Sequence, residues 1–102
     1  MSKSDHQLAH LGAEAAQVLS NPAFSEALRL MRESAYTTFK RMPIKDAEGL
    51  VLAAQAARLT DAVESTLRGM LQAGKMAQSR IDLNSARSES KLRRGMRAVT
   101  GR

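Results

Sequence analysis

Residues 41–50 read RMPIKDAEGL, and this short stretch decides the fold. Pro43 lacks a backbone N–H and disfavours helical geometry in the residue before it, so a helix arriving from upstream stops here. Asp46 then offers a carboxylate to the free amides of a new helix, with Glu48 close to that helix's positive end. One helix ends near Arg41 and another begins near Ala47, with only a tight reversal between them.

The flanks of this turn carry matching apolar patterns. Upstream, Phe24, Leu28, Met31, Ala35, Phe39 and Met42 recur at intervals of 4, 3, 4, 4 and 3. Downstream, Leu52, Ala56, Leu59, Val63, Leu67 and Met70 recur at the same intervals. Both have the period of an α-helix, which predicts helices over about 22–41 and 47–73, the second stopped by Gly74. Two equal seams across a short turn make an antiparallel helical hairpin. The second helix also has a face of small residues, Ala53, Ala54, Ala56, Ala57 and Gly69, which admits either another helix of the chain or a second copy. A chain of about 70 residues buries only about 60% of the surface its unfolded form exposes. Homo-oligomerisation is therefore expected, with Ala53 and Ala57 as the self-association residues.

Further upstream, DHQLAHLGAEAAQVLS (5–20) is a helix opened by Ser4 or Asp5, with Leu8, Leu11, Ala15, Val18 and Leu19 on one stripe that Gly12 weakens. It ends at SNPAF, where Pro22 suits the first position of the next helix and Asn21 or Ser20 caps it. No segment alternates as a strand would, and aromatic residues are confined to Phe24, Tyr36 and Phe39. The expected architecture is all-α: an N-terminal helix (1–20), a helical hairpin (21–74) and a basic C-terminal tail or helix (75–102).

The charge is unevenly distributed. Residues 1–74 hold eight Lys and Arg against eight Asp and Glu, whereas residues 75–102 hold eight against two, so the whole net charge of +6 lies in the last part of the chain. Such asymmetry marks a body and a tail with different tasks. Within SESKLRRGMRAVTGR (88–102), Leu92, Met96 and Val99 fall at i, i+4 and i+7, an apolar docking edge interrupted by Gly95. Arg87, Lys91, Arg93, Arg94, Arg97 and Arg102 are the residues expected to bind nucleic acid or an acidic partner. The tail has no aromatic side chain to stack on bases or to anchor it in a membrane.

The chemistry that remains is sparse. The chain has no cysteine, hence no disulfide framework and no thiolate zinc site. His6 and His10, at i and i+4, lack both a third ligand and the glutamate of a metalloprotease helix. Asp61 and Glu64 share a helix face with Arg58 and Arg68 and read as a surface charge lattice. Phosphate-cradling glycine loops and nucleophile elbows are missing. No apolar run approaches the length of a membrane span, and no basic-then-apolar leader opens the chain. The expectation is a protein that is not an enzyme, uses no cofactor or metal, and does not enter a membrane.

The segment from Asn21 to about residue 78 resembles small helical-hairpin proteins encoded by tailed bacteriophages. The shared pattern is Asn21, Pro22 and Phe24 at the first helix start, Pro43, Asp46 and Glu48 at the turn, and Leu71, Gly74 and Lys75 at the end of the second helix. The resemblance implies a phage context, with genes near those for virion assembly, and no catalytic residues. A protein of this kind would work in virion assembly, DNA packaging or delivery, through a virion protein or DNA held by the basic tail. It would reside in the cytoplasm of the infected bacterial host, in the virion, or in both. A nucleic-acid-binding accessory or regulatory protein, and an inhibitor of a host or defence enzyme, are the alternatives.

Overall fold

The computed structural model describes the backbone of residues 2–100 and the side chains of residues 2–96. Three helices account for the fold: α1 (Asp5–Leu19), α2 (Pro22–Arg41) and α3 (Ala47–Thr100). Among the described residues there is no strand.

Each helix start has a local cause. Ser4 Oγ accepts from Gln7 N at 3.2 Å while Gln7 Oε1 accepts from Ser4 N at 2.8 Å, a reciprocal capping box that opens α1. Asn21 Oδ1 accepts from Phe24 N at 3.0 Å, and Pro22 takes the first helical position, where its missing N–H costs nothing. Asp46 Oδ1 accepts from Gly49 N at 2.9 Å and opens α3. A Cβ at Gly49 would stand 2.6 Å from Asp46 Oδ2 and from Met42 Sδ, so the capping carboxylate or the Met42 side chain would have to shift.

The third helix overturns one expectation. It does not stop at Gly74 but runs unbroken for 54 residues, a rod of about 80 Å at 1.5 Å per residue. The whole chain measures 86 × 28 × 17 Å. Gly74 is helical because α1 crosses α3 there almost backbone to backbone. A Cβ on Gly12 would lie 2.7 Å from Gly74 Cα, and one on Gly74 would lie 2.7 Å from Gly12 Cα and 3.0 Å from Leu8 O. The close approach needs glycine in both helices, and this offsets the roughly 1 kcal/mol that glycine costs inside a helix. Gly12 is thus the point of contact on the α1 stripe.

Both shorter helices run antiparallel to α3 on successive stretches of it. Asp5 meets Arg80 and Gly12 meets Gly74, so α1 covers the middle of the rod. Arg32 meets Asp61 and Glu64, and Met42 meets Gly49, so α2 covers its beginning. The helices α1 and α2 scarcely touch each other. The core is small-sided: Ala15, Leu28, Ala35, Ala53 and Ala77 are buried, with Thr60 among them. The Thr60 hydroxyl donates to Ala56 O of its own helix at 3.0 Å, so its burial leaves no polar atom unmatched.

Of the seam expected in the second helix, Leu67 and Met70 are partly buried, whereas Leu52, Ala56, Leu59 and Val63 are exposed. The buried and partly buried row is Ala53, Ala57, Thr60, Glu64 and Leu67, about one residue around the helix from Leu52, Ala56, Leu59 and Val63. Small side chains let α2 settle on that row, and Arg32 ties its flank to Asp61 and Glu64. Leu52 and Leu59 are left 65% and 67% exposed.

Candidate nucleic-acid interface

The basic residues stand on the last turns of α3, continuous with the rod and not on a separate extension. Past Ile81 every described side chain is exposed. From Leu83 to Thr100 the helix carries Arg87, Lys91, Arg93, Arg94 and Arg97 against the single acid Glu89. Arg87, Lys91 and Arg94, at i, i+4 and i+7, form one stripe about 10 Å long. Arg93 points away from that stripe. The side chains of Arg97 and Val99, and all of Arg102, lie outside the described residues.

Not every cation in the C-terminal part is available to a partner. Arg80 Nη2 lies 2.8 Å from Asp5 Oδ1 and its Nε donates to the same oxygen at 3.0 Å. That guanidinium holds the Asp5 carboxyl below the ordinary carboxylate range, with partial desolvation acting in the opposite direction. The pair clamps the start of α1 to α3 and marks where the covered rod gives way to the bare arm. Among the described residues Arg87, Lys91, Arg93 and Arg94 have no acidic partner within the chain. Leu92 and Met96 are each 66% exposed, on the continuation of the face that α1 covers further back.

The other residues singled out by the sequence fall in less active surroundings. Ala53 is buried beneath α2 and Ala57 is partly buried, so that small face is occupied within the chain. Asp61 and Glu64 are joined by Arg32, whose Nε donates to Asp61 Oδ1 at 2.9 Å and whose Nη2 donates to Glu64 Oε1 at 2.7 Å. Arg68 Nε adds a bond to Glu64 Oε2 at 3.1 Å. Arg32 foremost, then Arg68, hold the Glu64 carboxyl below its ordinary range, which makes it a poor proton donor at neutral pH. Sequence spacing found Arg68 but missed Arg32, which lies 32 positions from Glu64 and arrives only through the fold. His10 Nε2 lies 2.9 Å from Glu14 Oε1 on an open helix face. Among the described residues no group of three ligands is placed to hold a metal ion, and no helix is long and apolar enough to cross a membrane.

The arm is thus a continuous helix that carries exposed cations beside the exposed Leu92 and Met96. Compared with known proteins, the chain matches no family model, no curated protein and no solved structure.

Proposed function

We propose that this is a non-enzymatic phage protein acting in virion assembly, DNA packaging or delivery, whose helical hairpin body self-associates and whose basic arm engages DNA. The observation that carries the reading is the stripe Arg87, Lys91 and Arg94, exposed on an uninterrupted helix and without internal acidic partners. Cations held on a rigid helix neutralise phosphates without the ordering cost that a flexible tail meets on binding. A helix is also the element that the major groove of duplex DNA admits. The phage setting rests on the resemblance of residues 21–78 to tailed-phage hairpin proteins.

Fluorescence anisotropy of a labelled duplex, titrated at several salt concentrations, tests the DNA reading. Contacts from Arg87, Lys91 and Arg94 alone give a log–log slope of about −2.7, and each further cation engaged steepens it by about 0.9. Replacing Arg87, Lys91 and Arg94 together by alanine removes the stripe and weakens binding at every sequence tried. Binding that is indifferent to salt overturns it. A second reading has its own observation: Leu92 and Met96 are exposed beside the cations, as suits an acidic protein partner. In that case Leu92→Ala with Met96→Ala loses more affinity than the triple basic variant.

A further inference from the structure

The side of the body opposite the ion pairs is unfinished. Between α2 and the beginning of α3 lies an open groove of about 520 Å³. Its floor is small, made of Ser34, Ala35, Ala53 and Ala56. Its edges are large, with Leu30 and Met31 on α2 and Leu52 on α3. None of its lining residues is charged. Leu59 and Val63 continue the Leu52 row beyond the groove and are themselves exposed. This row, spaced 4, 3 and 4 through Ala56, is left exposed, and among the described residues no other helix covers it.

We propose that this groove is closed by a second copy of the chain, related by a two-fold axis, so that two α2–α3 pairs form a four-helix bundle. The inference deepens the self-association in the proposed function and moves it from the buried Ala53–Ala57 row to the Leu52–Leu59 row.

Area supports that occupant. A compact monomer of 11.1 kDa exposes about 5,700 Å². This chain exposes 8305 Å², a surplus of about 2,600 Å² against that expectation. Part of the surplus belongs to the bare arm. The surplus exceeds the roughly 1,000 Å² or more that each protomer of a stable homodimer contributes, and the exposed Leu30, Met31, Leu52, Leu59 and Val63 around the groove are part of it. The chemistry supports it too. An uncharged groove gives a basic or acidic peptide nothing to pair with. A second copy brings an equally uncharged groove, in which the large Leu52 and Met31 of one chain can seat against the small Ala56 and Ser34 of the other. A face in which knobs and holes alternate is complementary to its own two-fold image. The internal core also leaves the task to a partner, since among the described residues Leu28 is the one large apolar side chain that is buried.

Sedimentation velocity of the full-length chain tests the proposal, with circular dichroism on every variant. The wild type is expected to sediment at twice 11.1 kDa up to high micromolar concentration. Leu52→Glu with Leu59→Glu places two charges in the bundle core and weakens the dimer by about 100-fold or more. Both side chains are exposed in the single chain, so the variant retains its helicity. Met76→Glu, at an exposed site on the far side of α3, leaves the dimer intact. A monomeric wild type overturns the proposal and reserves the groove for a foreign helix. A Leu52→Glu, Leu59→Glu variant that remains dimeric also overturns it. DNA binding by the arm is scored separately: a monomer with salt-steep DNA binding sinks the dimer alone, and a dimer without it sinks the arm alone.

Discussion

Two helices dock on α3, and they do so by different means. Where α1 crosses, glycine faces glycine, Ala15 and Ala77 are buried close by, and the backbones themselves form the contact. Where α2 lies, Leu28, Ala35 and Ala53 supply the burial, Arg32 pins one edge, and the other edge stands open. Small residues on both partners let a contact close within one chain. Small residues on α3 faced by the longer Leu28, Met31 and Leu30 on α2 hold the pair apart on one side. The α1 contact is therefore complete in the monomer, whereas the α2 contact retains apolar surface to be covered.

The largest expected effect sharpens the α2 side of that contrast. Leu28→Ala deletes the one large buried apolar side chain and is expected to cost about 3 kcal/mol, read as a lowered midpoint in chemical denaturation. A loss near zero would mean that α2 is held by its ion pairs and not by burial. The α1 side is tested by giving two glycines of the same helix the same methyl group. Gly74→Ala drives a Cβ into the Gly12 backbone and is expected to cost about 2 kcal/mol. Gly69→Ala meets nothing within 4 Å and is expected to stabilise by about 0.5–1 kcal/mol through helix propensity alone. Equal effects at the two positions would break the claim that α1 docks backbone to backbone.

The smallest effect concerns acid. Asp5 has its folded pKa lowered by Arg80, so it adds stability that is present above its unfolded pKa and lost as pH falls through the folded one. As pH falls through that folded pKa the start of α1 should loosen on α3, and Asp5→Asn should reproduce the loosening at neutral pH and abolish its pH dependence. Because the pair is partly exposed, the effect is small and fades with salt. Hydrogen exchange of the α1 amides measures it.

The helix starts were legible in the sequence because caps are local: Ser4, Asn21 with Pro22, and Asp46 each act on amides within three residues. The end of α3 was not legible, because a glycine's local preference was outweighed by a contact from 62 positions away, Gly12 on Gly74. Periodicity found the Leu52–Val63 row correctly as an apolar row, but it could not tell which neighbour the row faces. The small Ala53 face was legible as a place of close approach, and the fold gives it to α2. Of the candidate interface, charge counting found the cations but not their separation into an engaged Arg80 and a bare Arg87, Lys91 and Arg94. It also began the basic part at residue 75, ahead of Arg80 and the partly buried Ile81, both of which lie against α1.

An uninterrupted α3 has a mechanical consequence. A helix transmits phase as well as distance: each residue advances about 100° and 1.5 Å. The direction in which Arg87, Lys91 and Arg94 face is thereby fixed relative to the body, as the key of a shaft is fixed relative to its handle. One residue inserted between Leu83 and Arg87 would swing the stripe by about 100° without altering its charge, its exposure or its composition. Seven inserted residues would return it nearly to its starting azimuth about 10 Å further out. A partner that senses only positive charge would register neither change, whereas one seated against both the body and the arm would reject the first insertion and tolerate the second.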